Sequence, residues 1–181
     1  MSYDAIGRRY ARAIFELGKE EGRASAIADQ IASFAETYDS SEELKIILEN
    51  PLVDEAARLA IVGDIAARVG ATGTADRALR LVTKQRRLRA LPDIARHLRR
   101  QVDEDAKVVR AHVTTASAPS GGYLDRLKAQ IEQSTGQKVV LTHTVDPSII
   151  GGVITSIGDR VVDGSIRSRL LSFRDAARPS V

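Results

Sequence analysis

A chain of 181 residues in which 43% of positions are hydrophobic and 28% charged carries enough apolar side chain to bury a core, which excludes a chain disordered throughout. The absence of cysteine rules out disulfides, thiolate metal sites and cysteine nucleophiles, and it fits a reducing compartment, of which the cytoplasm is the simplest. No stretch approaches the roughly 20 apolar residues of a bilayer span, residues 1–10 lack the layout of a secretory signal, and a net charge of +3 permits nucleic-acid contact without arguing for it.

With only 4% aromatics and no Trp, the cores must be built from Ala, Leu, Ile and Val, side chains that let helices approach closely. From Tyr3 to about Lys107 the apolar residues recur at helical spacing, and the breaks carry helix-stop or helix-start chemistry. The first segment sets Tyr3, Ile6, Tyr10, Ala13, Ile14 and Leu17 on one stripe, with Ala11 and Phe15 off it, so the helix has two apolar faces and two partners. Gly22 ends it. Ile27, Ile31, Phe34, Ala35 and Tyr38 mark a second helix, and Ser40 and Ser41 open a short third, which stops before Asn50-Pro51. Asp54 caps a fourth helix striped by Ala57, Ile61, Ile65 and Val69. Thr72 or Thr74 caps a fifth, with Ala75, Ala78, Leu79 and Val82. Leu91-Pro92-Asp93 starts a sixth that carries Ile94, Leu98 and Val102.

Near Lys107 the period changes from about 3.6 to 2, as Val109, Ala111, Val113 and Thr115 alternate with Val108, Arg110, His112 and Thr114. That change divides the chain into domains 1–106 and 107–181. In the second, a helix starts at Ser120 and presents Leu124, Leu127 and Ile131 before Gly136. A strand follows around Val139, Leu141 and Val145, then a turn at Asp146-Pro147-Ser148. Two more strands, from Gly151 to Ile157 and from Arg160 to Val162, join at Gly158-Asp159, and Ser165 caps a last helix bearing Ile166, Leu170 and Phe173. The fold class is mainly α: a six-helix N-terminal bundle followed by a small α/β domain.

Catalytic and cofactor chemistry find no foothold. His97, His112 and His143 fall on a helix and two separate strands without ligand spacing, and Asp103, Glu104 and Asp105 occupy successive helical positions that point apart. Gly151-Gly152 lacks both the dinucleotide fingerprint and the P-loop lysine, so these glycines read as a bulge or close backbone approach at a strand start. The arginines from Arg77 to Arg100 spread around their helices, lack interleaved aromatics and are diluted by Asp76, Asp93 and Asp103, which argues against nucleic acid. A groove is the better candidate. Ile6, Tyr10, Ala13 and Leu17 can form one wall and Ala78 with Leu81 the other, and an alanine floor admits a partner helix. Periodicity alone does not separate this groove from plain core.

The run from Val145 to Val153, followed by Ile157-Gly158-Asp159-Arg160-Val161-Val162-Asp163-Gly164-Ser165-Ile166-Arg167-Ser168-Arg169-Leu170, resembles the delta subunits of bacterial rotary ATP synthases and their mitochondrial counterpart, the oligomycin sensitivity conferral protein. Tyr10-Ala11-Arg12-Ala13, Arg87-Leu88 through Leu91-Pro92, and Thr115-Ala116 match in order, so the resemblance spans essentially the whole chain. It implies a non-catalytic stator subunit with no cofactor, peripheral on the cytoplasmic face of the bacterial inner membrane and held there only through the complex. The implied N-terminal domain grips N-terminal helical segments of alpha subunits between its first and fifth helices, a role carried onto Tyr10, Ala13, Ala78 and Leu81. The C-terminal domain grips the b subunits of the stalk, with Gly151, Gly152, Asp163, Gly164 and Ser165 as candidates for structure or stalk binding, and beta-subunit contacts are compatible with the same arrangement. Lys84-Gln85-Arg86-Arg87 departs from the family, which often has Glu-Asn followed by Gly or Arg there.

Overall fold

The computed structural model describes residues 3–119, 121–158 and 160–170, and the chain divides into two compact units, Met1–Val102 and Asp103–Val181. The first holds α1 (Tyr3–Glu20), α2 (Ala24–Ser40), α3 (Glu42–Glu49), α4 (Glu55–Arg68), α5 (Thr74–Lys84) and most of α6 (Leu91–Asp105), with a 3-10 turn at Leu88–Ala90 ahead of α6. The second holds β1 (Val108–Thr115), α7 (Tyr123–Thr135), β2 (Lys138–Val145), a 3-10 turn at Pro147–Ile149, β3 (Val153–Ile157) and β4 (Arg160–Asp163). The molecule is therefore mainly helical with a small four-stranded sheet. The two 3-10 turns exceed the helix inventory that periodicity gives, because three-residue turns are too short to show a period.

In the first unit Phe34, Ile31, Leu79, Val62, Ile94 and Leu98 are all at most 1% exposed and share one core. Helix α1 meets that core through Gly7, Ala11, Ile14 and Gly18. These small residues bring backbones close: a Cβ at Gly7 would lie 2.7 Å from Asp93 Cβ, and one at Gly18 would lie 2.9 Å from Ala24 Cα. Polar contacts fix the start of α1 against α6. Asp4 accepts from Arg8 and from Arg96 (3.2 Å), and it meets His97 Nε2 at 2.8 Å. The bond to His97, then that to Arg8, holds the Asp4 carboxyl below its ordinary value.

Two local expectations are corrected. Helix α4 buries Arg58, Val62 and Ala66, one position round from the expected stripe; Ile61, Ile65 and Val69 flank the core and Ala57 is exposed. Helix α5 is preceded by Gly73, at φ +59 with no side-chain cap, so neither Thr72 nor Thr74 fills that position. Thr74 Oγ1 instead donates to Glu21. The other caps follow the sequence: Ser41 accepts from Leu44 N (3.2 Å) and Asp54 from Ala56 N (3.0 Å).

In the second unit the strand order is β2-β1-β3-β4. β1 and β2 run parallel, with Ala111 opposite Leu141, and α7 supplies the crossover; the pairs β1–β3 and β3–β4 are antiparallel. Ala111, Ile131 and Val139 form a core with Val109, Leu127, Leu141 and Ile157 packed against it. Helix α7 begins at Tyr123 behind Gly122 (φ +78), later than expected, since the left-handed glycine sets the entry to the helix. Ser120, Asp159 and Phe173 lie outside the described residues.

Candidate functional site

Helices α1 and α5 leave an open groove between them. Tyr10, Ala13, Ile14 and Leu17 from α1 and Thr74, Arg77, Ala78 and Leu81 from α5 line a cavity of about 150 Å³ whose walls are almost wholly apolar. The groove follows from where each helix spends its small residues. Ala11 and Ile14 turn into the bundle core, while Ala13, one step round, is exposed, and Ala78 is only half-buried. Short side chains leave space above the helix contact. Leu17 and Leu81, each 50% exposed, rise as apolar rims on either side.

Polar contacts hold the rims. Arg87 Nη1 donates to Tyr10 Oη (3.2 Å), and its guanidinium lies 5.7 Å from the Tyr10 ring centroid, which fixes the phenol at one end. At the other end Arg77 Nη2 donates to Thr74 Oγ1 (2.7 Å) and Glu21 Oε1 (3.4 Å). Of the residues expected in the groove, Tyr10, Ala13, Leu17, Ala78 and Leu81 come together here. Ile6 is not among the lining residues; it is half-buried against the bundle core. Ile14, Thr74, Arg77 and the Arg87 anchor escaped the sequence reading. Ile14 stood on the predicted stripe without being named in the groove, and Arg87 lies in a coil, where no period marks it.

The motif candidates of the second unit meet at one close crossing. Gly152 adopts φ +87, and a Cβ there would lie 2.4 Å from the Gly164 carbonyl oxygen. Gly164 N donates to Val153 O (2.9 Å) and Ile166 N to Gly151 O (2.9 Å), so the start of β3 and the segment after β4 are stitched backbone to backbone. Gly151 lies under the Ile166 side chain. Asp163 accepts from Ser165 N (2.9 Å) and from the Ser168 hydroxyl, while Ser165, 2% exposed, accepts from Ser168 N (3.2 Å). Close backbone approach is the role these glycines play. Around them, Val161, Val162, Ile166 and Leu170 are exposed, with β4 at the sheet edge.

The Ser168 hydroxyl first, then the Ser165 amide, hold the Asp163 carboxyl below its ordinary value. A carboxyl whose folded value is depressed contributes stability above its unfolded value and loses it as pH falls through the folded one. The second unit is accordingly expected to loosen on acidification below about pH 4. Asp146, lowered by Ser148, adds to the same limb. Asp163→Asn flattens part of that limb in a titration followed by the Ser165 and Ser168 amide resonances; an unchanged acid midpoint refutes the capping account.

The other candidates disperse. His97 meets Asp4, His112 Nδ1 lies 3.0 Å from Thr142 Oγ1, and His143 Nε2 lies 2.8 Å from Thr115 Oγ1, three separate places. Most of the basic run is paired with carboxylates: Arg77 with Glu21 (3.4 Å), Arg80 with Asp76 (2.8 Å), Arg89 with Glu49 (2.6 Å), Arg96 with Asp93 (2.7 Å) and Arg99 with Asp29.

A helical unit with an open apolar groove, joined to an α/β unit with an exposed apolar edge, defines a protein-binding adaptor. Comparison places it more narrowly. Residues 6–176 match the family model described as ATP synthase delta (OSCP) subunit. A protein of Methylorubrum populi called ATP synthase subunit delta is 35% identical over 173 residues, covering 96% of this chain and 92% of its own. A protein of the same name from Myxococcus xanthus is 38% identical over 172 residues, 94% of each chain. In fold, the chain is similar to one in a cryo-EM structure of the Toxoplasma gondii mitochondrial ATP synthase hexamer, with a TM-score of 0.71 at 17% identity, covering 97% of this chain and 98% of that one. The chain belongs to the ATP synthase delta (OSCP) subunit family. It is a structural subunit of the peripheral stalk, not a catalyst.

Proposed function

We propose that this chain is the stator link that joins the catalytic head to the stalk, with the α1–α5 groove gripping an N-terminal helical segment of an alpha subunit and the second unit gripping the b subunits. The observation that carries the reading is the groove itself: apolar, floored by alanine and left open between two helices that both pack into the bundle core. An amphipathic helix presents apolar anchors at i, i+3 and i+4, the spacing such a floor accepts. On the second unit, Val161, Val162, Ile166 and Leu170 give the b subunits an apolar surface beside the stitched motif residues Gly151, Gly152, Asp163, Gly164 and Ser165.

The duty is mechanical. Rotation driven by proton flow exerts torque on the head, and ATP is made only if the head is held still. A link must dissociate more slowly than the motor turns over, which well-packed interfaces of about 1,200–2,000 Å² provide. Among the described residues no helix is long and apolar enough to cross a membrane, and the proposed peripheral seat on the cytoplasmic face of the inner membrane comes through the complex. The test is reconstitution. Membranes stripped of this polypeptide are expected to lose proton-driven ATP synthesis and to regain it when the purified chain is added; stripped membranes that synthesise ATP at the full rate refute the proposal.

A further inference from the structure

The geometry points to a second and chemically different site on the first unit: a polar cavity of about 200 Å³ that takes a phosphate group. It shares no lining residue with the α1–α5 groove. Four segments build it. Tyr3 comes from the start of α1, Leu48 and Glu49 from the end of α3, Arg58 from α4, and Arg86, Leu88 and Arg89 from the connection between α5 and α6.

The charges in this cavity do not balance. Arg58 is 3% exposed, its Nε is enclosed without any hydrogen-bond partner, and no carboxylate lies within ion-pair distance of it among the described residues. A buried guanidinium without a counter-charge is costly, and native structures hold one where an anion answers it. Among the described residues the single carboxylate lining the cavity, Glu49, does not. It is occupied by Tyr38 Oη (2.5 Å) and by Arg89 Nε (2.6 Å). Arg86 is exposed at the mouth, held at φ +54 by the turn its amide makes to Thr83 O (3.0 Å). With Arg89 and Glu49 cancelling, two positive charges remain, those of Arg58 and Arg86.

That remainder selects the ligand class. A phosphate group carries about −1.5 to −2 at neutral pH and several acceptor oxygens, and guanidinium forks bond such oxygens in pairs. A carboxylate offers two oxygens and one charge, leaving donors of Arg58 and Arg86 unmet, since the Tyr3 hydroxyl is engaged by Arg89. Leu48 and Leu88, 3% and 4% exposed, supply an apolar patch in the otherwise polar lining, beside the buried Arg58. The phosphate group comes either as the free ion or on a nucleotide, and the chemistry at the arginines is the same.

The test uses the full chain. Thermal midpoints and amide spectra are recorded against inorganic phosphate, AMP, ATP and succinate, each compared with chloride at matched ionic strength. Expected is a saturable rise in midpoint with phosphate or a nucleotide, accompanied by shifts confined to amides near residues 48, 58 and 86–89. Saturation by inorganic phosphate assigns the free ion; saturation only by AMP or ATP assigns the nucleotide. Arg86→Ala, on the surface, is expected to weaken binding by roughly ten- to a hundredfold without altering the fold. Arg58→Met is expected to abolish the phosphate-dependent rise and, by removing an unpaired buried charge, to leave the phosphate-free midpoint equal or higher. Succinate binding as tightly as phosphate overturns the assignment, as does a phosphate response that both variants retain.

Discussion

A chain carrying Ala13→Asp is expected to melt at the wild-type temperature and to bind an alpha-subunit N-terminal peptide at least about thirtyfold more weakly by calorimetry. Ala13 is exposed in the free chain, so a carboxylate there is solvated and the fold is indifferent to it. Once a helix lies in the groove the same carboxylate is enclosed by Ile14, Leu17, Ala78 and Leu81. Stripping its water without a partner costs about 2 kcal/mol or more, and all of that cost falls on binding. Among the described residues Arg77 is the one cation in the lining, and it is already engaged by Thr74 and Glu21. Ala13→Ser, with a hydroxyl small enough for the same floor, is expected to bind within a few-fold of wild type. Equal affinities for all three chains rule out the groove as the alpha-subunit seat.

The legible part of this molecule was the part written in apolar periods. Helix α2 buries the five residues that its spacing named, Ile27, Ile31, Phe34, Ala35 and Tyr38, and the alternation in β1 buries Ala111, Val113 and Thr115. The groove was half legible. Two apolar faces on α1 require two partners, yet a pattern cannot tell a partner in the same chain from one in another. In α4 the period was visible and its phase was not, because apolar residues occupy neighbouring faces and the packing selected Val62 and Ala66 over Ile61 and Ile65.

What stayed hidden has a different physical origin. Arg58 occupies a core position on the α4 face, and a scan for apolar residues counts a buried guanidinium as surface. Arg87 reaches Tyr10 from 77 positions away, a contact that no local spacing encodes. Thr74 looked like a cap because threonine favours that position, but Gly73, at φ +59, occupies it and the Thr74 hydroxyl donates to Glu21 instead. For Arg87 and Thr74 the deciding interaction is polar and distant in sequence, while the signals that succeeded are apolar and local.

Gly152→Ala tests the other half of the adaptor. At φ +87 an alanine is strained by about 1–3 kcal/mol, and its Cβ would lie 2.4 Å from the Gly164 carbonyl oxygen and 2.9 Å from Ser165 Cα. Both obstacles are backbone atoms, so no rotamer relieves them, and separating them breaks the bonds of Gly164 N to Val153 O and Ile166 N to Gly151 O. The combined cost is about 3–5 kcal/mol, a large share of what a unit of this size has in reserve. Gly158→Ala supplies the comparison: it also has positive φ, at +55, but a Cβ there meets nothing within 4 Å, leaving backbone strain alone and a cost nearer 1 kcal/mol. The expected result is a low-temperature melting transition of the β3–β4 region in Gly152→Ala, with capture of b subunits lost, while calorimetric binding of the alpha-subunit peptide stays at its wild-type value. Ala13→Asp is expected to show the reverse pattern. Because the groove is built wholly from α1 and α5 and the glycine crossing wholly from residues beyond β2, damage to one gives no physical reason for loss at the other. A Gly152→Ala chain that melts as wild type, or that loses the alpha-subunit peptide along with the b subunits, would refute this division of labour.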